Sequence, residues 1–147
     1  GLVYIAAFAP DAGESPGGIS QELPPAAIEN LAPDSDGYLW VKQDKFRESF
    51  CQDLSQDAGL VMAVTQKAPL ASTFGDNVTA PAWKTKPTWY QVSTEDHMIH
   101  PDNERRMAAR MNPRKTIELQ ASHASLASRP TEVVDLIEEA ATTYARS

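Results

Sequence analysis

A chain of 147 residues with 41% hydrophobic and 22% charged residues has the length and composition of one globular domain with a real core. Its net charge of −7, without a cluster of Lys or Arg, argues against nucleic acid and anionic membrane surfaces as partners. The one cysteine, Cys51, excludes an internal disulfide, so a reducing compartment, the cytoplasm, is expected. No apolar run reaches the roughly 18 to 20 residues of a membrane span.

The first predicted element is a strand over residues 2–8, a continuous apolar run with β-branched and aromatic members. Such runs are typical of parallel strands that are covered on both faces. A strand of this kind normally has a neighbour on each side, and the rest of the chain supplies only one. The sequence also lacks an initiator Met. We therefore expect that residues upstream of Gly1 supplied the missing strands, and that a companion polypeptide is a source for them.

A loop rich in Pro, Gly and Asp follows over residues 9–18. Residues 21–80 then form an irregular, mostly helical stretch, which we expect to lie over the strand ends as a lid or cap. Residues 1–20 and 81–147 are expected to form the core domain. Five apolar side chains of the lid are candidates to line an acyl pocket, although they equally fit the lid's own core: Trp40, Phe46, Phe50, Met62 and Phe74.

Two further strands are predicted in the second half of the chain, over residues 88–93 and 116–119. A helix over residues 103–111 separates them, with Asp102 as its candidate N-cap and Asn112-Pro113 as its stop. A last helix follows Pro130, a residue suited to a first helical turn. The predicted fold class is α/β, with three parallel strands, flanking helices and the lid insertion.

Asp96 and His123 each follow the C-terminal end of a predicted strand, the edge of an open α/β sheet where ligands collect. Small neighbours in residues 120–125 leave room for the His123 ring to act as a general base between a nucleophile and a carboxylate. Asp96 would hold the ring in the correct tautomer. Asp11, which also follows a core strand, stays open as a rival acid, and a plain surface histidine is the alternative for His123.

Two other patterns suggest chemistry and are set aside. His97 and His100 lie three apart beside a carboxylate, but no third ligand stands at a useful spacing, so no metal and no cofactor is predicted.

Residues 13–17 match G-x-S-x-G, yet Ser15 lies in a Pro/Gly loop rather than at a tight strand-to-helix turn. The next residue, Pro16, has no N–H for an oxyanion hole, a loss of about 3 to 4 kcal/mol of transition-state stabilisation. The chain therefore contains no convincing nucleophile.

Three segments of the chain resemble a known family: LVYIAAFAPDAGES, PAWKTKPTWYQVSTEDHMIHPDNERRMAARM and ASHASLASRPTEVVDLIEEAA. They are similar to the C-terminal half of bacterial α/β-hydrolases, in the esterase branch related to plant methylesterases and hydroxynitrile lyases. The resemblance implies that Asp96, in a D-x-x-I-x-P turn, is the triad acid, and that His123, in an S-H motif, is the base. It also implies that the nucleophilic serine, in a G-H-S-x-G-G elbow, and the main oxyanion donors belong to an N-terminal half.

The expected function is that of a serine carboxylesterase acting on small esters. This chain would supply the acid and the base, while an N-terminal half, as a companion chain, would supply the serine and the oxyanion hole. The chain alone is expected to be inactive. Two alternatives stay open: hydroxynitrile-lyase-like or other chemistry on the same fold, and a non-catalytic binder whose pocket holds an apolar ligand.

Overall fold

The structure is a computed structural model that describes residues 1–145 of the chain. Five strands are present in it: β1 (Leu2–Ile5), β2 (Leu31–Pro33), β3 (Leu39–Val41), β4 (Thr88–Ser93) and β5 (Lys115–Leu119). The α-helices are α1 (Pro16–Glu22), α2 (Phe46–Phe50), α3 (Gln56–Thr65), α4 (Pro101–Met111), α5 (Ser125–Ser128) and α6 (Pro130–Ala145). In the described residues, no helix combines the length and the apolarity that crossing a membrane requires.

The core is a three-stranded parallel sheet in the order β1-β4-β5. This confirms the predicted α/β class and its three parallel strands. Strand β4 lies in the centre and is buried along its whole length. Strand β1 ends at Ile5, three residues before the predicted end at Phe8, because Ala6 adopts a φ of 42° and turns the chain out of the sheet. In the part of the chain that the structure describes, β1 pairs only with β4.

Side-chain alternation along β4 divides the core between two helices on opposite faces of the sheet. Tyr90 and Val92 pack against α4, where they meet Met107. Trp89 packs on the other face against Leu136 and other apolar side chains of α6. The sheet is therefore covered on both faces, as its continuous apolar strands require.

Helix α4 begins at Pro101, two residues before the predicted start. Its N-cap is His100 rather than Asp102, because the Nδ1 of His100 accepts a hydrogen bond from the Asp102 backbone N–H at 3.2 Å. The fixed φ of Pro101 suits the first helical position, where no intrahelical partner for an N–H exists. The predicted stop is confirmed: Asn112 adopts the left-handed conformation at the C-cap, and Pro113 follows.

The stretch predicted as a lid, residues 21–80, lies between β1 and β4 in sequence and is called the insertion below. It contains α2, α3 and short 3-10 turns, together with an antiparallel hairpin of β2 and β3. It has its own apolar cluster, in which Phe46, Cys51 and Ala63 pack with Ala124 from beyond β5. The insertion is thus joined to the loop that bears His123, while its role as a lid stays a prediction.

Candidate active site

Asp96 and His123 form a hydrogen-bonded pair at the C-terminal edge of the sheet. The Nδ1 of His123 lies 2.6 Å from the Oδ2 of Asp96. The two loops run side by side beyond β4 and β5, because the backbone N–H groups of Thr94 and Glu95 donate to carbonyls at Leu119 (2.9 Å) and Ala121 (3.1 Å). The Asp96 side chain is fully buried, while the His123 side chain is 22% exposed. The structure thus brings together the two residues that the sequence predicted as acid and base.

The backbone N–H groups that donate to Asp96 indicate which nitrogen of the His123 ring carries the hydrogen shared by the pair. Its Oδ1 accepts hydrogen bonds from the N–H groups of Met98 (2.6 Å) and Ile99 (2.9 Å), as expected of an ionised carboxylate. Because a carboxylate only accepts hydrogen bonds, the Nδ1 of His123 must carry the hydrogen that it shares with Oδ2. The Nε2 of His123 is then the basic nitrogen of the ring.

Three other carboxylates that follow a core strand or lie near Asp96 in sequence have partners of their own. Asp11, the rival acid, forms an ion pair with Lys84. The side chain of Glu95 accepts from Gln120, and Asp102 pairs with an arginine of its own helix at 2.9 Å. Asp96 is therefore the carboxylate that orients His123.

A cavity of about 950 Å³ borders the His123 ring and has a mainly apolar lining. Four of the five predicted pocket residues lie on it: Phe46, Phe50, Met62 and Phe74. The fifth, Trp40, does not line this cavity. Its indole Nε1 donates to Asp34 at 2.8 Å on the outside, because strand alternation turns its neighbours Leu39 and Val41 towards the cavity instead. The turn at Ala6 after β1 adds further apolar lining from the core domain.

The segment of the insertion from Phe50 to Asp53 contacts the loop on both sides of His123. The carbonyl of Phe50 accepts from the Ala124 N–H at 3.1 Å, and the Oδ2 of Asp53 accepts from the Ser122 N–H at 2.9 Å. The Phe50 ring meets the His123 ring edge-on, with 4.7 Å between the centroids. The sequence analysis did not predict these two hydrogen bonds, because nothing in the sequence around Asp53 indicates a partner 69 positions away.

A second buried carboxyl group, that of Glu104, was also missed. It is fully buried, and its Oε2 accepts from the Ser93 N–H at 2.9 Å. A signal was present in the sequence, because Glu104 shares the apolar face of α4 with Met107, Ala108 and Met111 at helical spacing. Burial, followed by the charge of Asp96, raises the pKa of Glu104 far above its usual range.

The residues that were set aside have structural partners. Ser15 is the N-cap of α1, and its Oγ accepts from the Gly18 N–H at 3.1 Å. The Nδ1 of His97 lies 2.8 Å from the carbonyl oxygen of Glu48, and His100 caps α4. Within residues 1–145, no three His, Cys, Asp or Glu side chains converge as metal ligands do.

Comparisons with known proteins agree with this architecture. A pyrethroid hydrolase from Sphingobium faniae is 21% identical, with a TM-score of 0.69, over 99% of this chain and 62% of its own. Polyneuridine aldehyde esterase is 14% identical, with a TM-score of 0.74, over 95% of this chain and 62% of its own. A methylesterase from Arabidopsis is 16% identical, with a TM-score of 0.70, over 97% of this chain and 59% of its own. At these identities the likeness shows the fold.

The chain therefore spans less than two thirds of the length of these solved structures. No curated protein sequence matches it. A profile of the alpha/beta hydrolase family matches residues 1–136, which is most of the chain. The predicted resemblance is confirmed by this match: the chain belongs to the alpha/beta hydrolase family.

Proposed function

We propose that this chain is the part of a serine carboxylesterase that carries the acid and the base, and that the enzyme acts on small esters. The observation that carries the proposal is the pair of Asp96 and His123, joined at 2.6 Å beside an apolar cavity. Acyl transfer by a serine requires a histidine whose Nδ1 is bonded to a carboxylate and whose ring borders the substrate site, and this pair has both features.

In the proposed reaction, the Nε2 of His123 takes the proton of a serine hydroxyl while the serine oxygen attacks the ester carbonyl. The alcohol leaves with that proton, and an acyl-enzyme forms. The same nitrogen then removes a proton from water, which attacks the acyl carbonyl, and returns the proton to the serine. Asp96 holds the ring in position and stabilises the imidazolium in both steps.

The serine and the oxyanion donors come, in this proposal, from an N-terminal half outside the 147 residues. Two observations support this assignment. Ser15 is occupied as a helix cap and is followed by Pro16, which has no N–H to donate. The similar solved structures extend well beyond the part that this chain matches.

The lining of the cavity suggests which kind of acyl or alcohol group the ester has. Aromatic and aliphatic side chains, among them Phe46, Phe50 and Phe74, form most of its lining, so we propose an apolar acyl or alcohol group there. The insertion serves as the lid that keeps water from the acyl-enzyme. We place the reaction in the cytoplasm, because the buried thiol of Cys51 is unpaired and fits a reducing compartment.

The test uses the complete hydrolase, with the N-terminal half present, and p-nitrophenyl acetate and butyrate as substrates. His123→Ala is expected to lower kcat by at least about 10³-fold, because the base is lost. His100→Asn is the matched control: it removes an imidazole nearby, keeps a good N-cap for α4 and is expected to leave kcat unchanged. Wild-type turnover by His123→Ala would remove His123 from the mechanism.

Further outcomes separate the other functions. Hydrolysis by the 147-residue chain alone, at the rate of the complete enzyme, would mean that the nucleophile lies within this chain. Cleavage of cyanohydrins without ester hydrolysis would favour a lyase. Tight binding of an apolar ligand with neither reaction would favour a binder. Intact-mass analysis of the purified protein shows directly whether a companion chain is bound.

A further inference from the structure

The carboxyl group of Glu104 is a neighbour of Asp96, the partner of His123. Glu104 is the fourth residue of α4, and it has no solvent exposure. Glu104 and Asp96 both bond to the backbone of Ser93, because the Asp96 N–H donates to the Ser93 carbonyl at 3.3 Å while Glu104 accepts from the Ser93 N–H, so the two residues are neighbours. One oxygen, Oε2, accepts from the Ser93 N–H at 2.9 Å. The other, Oε1, is buried and has no hydrogen-bond donor among the described residues. An orphan carboxylate oxygen against another carboxylate requires an explanation.

The charges facing this group do not neutralise a second anion. Arg105, the next residue of the helix, turns outward and pairs with Asp102 and Glu118. Tyr90 of β4 faces the site from the sheet, but its hydroxyl donates to the carbonyl of Ala7. Two adjacent buried carboxyl groups share a single negative charge.

The hydrogen-bond donors decide which of the two carries that charge. Asp96 accepts from three groups: the backbone N–H groups of Met98 and Ile99 and the ring of His123. Glu104 accepts from the Ser93 N–H alone. Hydrogen bonds favour the ionised form of the group that accepts more of them. The charge therefore belongs on Asp96 and the proton on Glu104.

We propose that Glu104 is a positioning residue whose carboxyl group stays protonated and donates a hydrogen bond from Oε1 to the Asp96 carboxylate. This gives the orphan oxygen a partner and provides Asp96 with a fourth donor. A fourth donor fixes the Asp96 carboxylate in the plane that His123 needs and disperses its charge. A less concentrated charge on Asp96 weakens proton binding by the ring, which keeps Nε2 free to act as a base. This catalytic consequence rests on the proposed function; the shared proton does not.

The first test compares Glu104→Gln with Glu104→Leu in the intact protein, by NMR titration of the histidine ring protons. Glutamine retains an acceptor for the Ser93 N–H and offers an amide N–H to Asp96, so the midpoint for His123 is expected to stay within experimental error. Leucine removes the donor, and the midpoint is expected to rise by roughly one pH unit. The acidic limb of the kcat/KM profile moves by the same amount. His97 and His100 serve as internal references.

An unchanged or lowered midpoint in folded Glu104→Leu would overturn the proposal, as would a shift in Glu104→Gln equal to that in the leucine variant. A second measurement does not need the leucine variant to fold. Difference infrared spectroscopy at pH 7 is expected to show the carbonyl stretch of a protonated carboxylic acid that disappears in Glu104→Gln. Absence of that band in the wild type would disprove the shared proton. Full esterase activity in His123→Ala would instead defeat the proposed function and leave the band in place.

Discussion

The backbone N–H of Ser122 donates to the Oδ2 of Asp53 at 2.9 Å, although the two residues lie 69 positions apart. Together with the bond from the Ala124 N–H to the Phe50 carbonyl, this contact fastens the insertion to the loop on both sides of His123. The orientation of the imidazole thus depends on the insertion as well as on Asp96. A segment that lines the cavity and also holds the loop of His123 is able to affect the proposed reaction rate as well as substrate binding.

Replacement of Asp53 tests this coupling. Asp53→Ala is expected to lower kcat about 10-fold with little change in KM, because the His123 loop loses one anchor. Asp53 is exposed, so the free energy of unfolding falls by less than about 1 kcal/mol. Asp53→Asn keeps the acceptor and is expected to behave as the wild type. Equal loss of kcat in both variants would show that charge, and not the bond to Ser122, is what matters.

The same contact predicts a pH dependence of stability. Partial desolvation tends to raise the pKa of Asp53, but hydrogen bonding with Ser122 outweighs it, so the pKa lies below its ordinary value. A lowered pKa means that the folded state favours the carboxylate, which stabilises the protein above the ordinary pKa of about 4. The wild type is therefore expected to have a higher free energy of unfolding than Asp53→Ala at pH 7. This difference is expected to shrink as the pH falls below about 4.

Asp96→Asn is expected to lower kcat about 10⁴-fold while the fold is retained. The asparagine oxygen keeps the bonds from the N–H groups of Met98 and Ile99, which turns the amide N–H towards His123. The ring must then accept on Nδ1 and carry its hydrogen on Nε2, so the base is lost. Esterase kinetics and urea unfolding measure the two effects. The control is Glu95→Gln in the same turn; a loss below about 10-fold in Asp96→Asn would contradict the proposed role.

Glu104→Gln is expected to stabilise the protein at neutral pH but not at acid pH. A raised pKa of Glu104 means that the unfolded state ionises first, so stability is lost between the ordinary pKa of about 4.3 and the raised value. The amide does not ionise and avoids that loss. Urea unfolding at pH 7.5 is expected to favour the variant by about 1 to 3 kcal/mol, with no such gain at pH 4.5. A gain that is independent of pH would point to packing instead.

Met62→Trp tests the cavity as the ester pocket. Met62 of α3 lies on the lining, and a larger ring there reduces the space for a long acyl chain. The expected result is a fall of about 10-fold or more in kcat/KM for p-nitrophenyl octanoate, with little change for the acetate. Trp40→Phe is the matched control, since Trp40 lies outside the cavity. Parallel loss for both esters in Met62→Trp would indicate a general disturbance of α3.

Sequence patterns alone determined much of the core of this protein. Strand β4, the stop of α4 at Asn112 and the position of Asp96 after its strand follow from local rules on apolar runs and on Pro and Asn. Because the C-terminal ends of parallel strands share one edge, the pairing of Asp96 with His123 was also within reach of the sequence. Boundaries were less accurate where one backbone angle decided them, as at Ala6 in β1.

Only the tertiary structure decided which residues surround that pair. Asp53 holds the His123 loop, and Glu104 is a neighbour of Asp96 through the backbone of Ser93. Trp40, by contrast, turns outward. The physical reason is that apolar periodicity records whether a side chain is buried, but not which distant side chain it meets. A hydrogen bond between residues tens of positions apart depends on how the whole chain closes around its core.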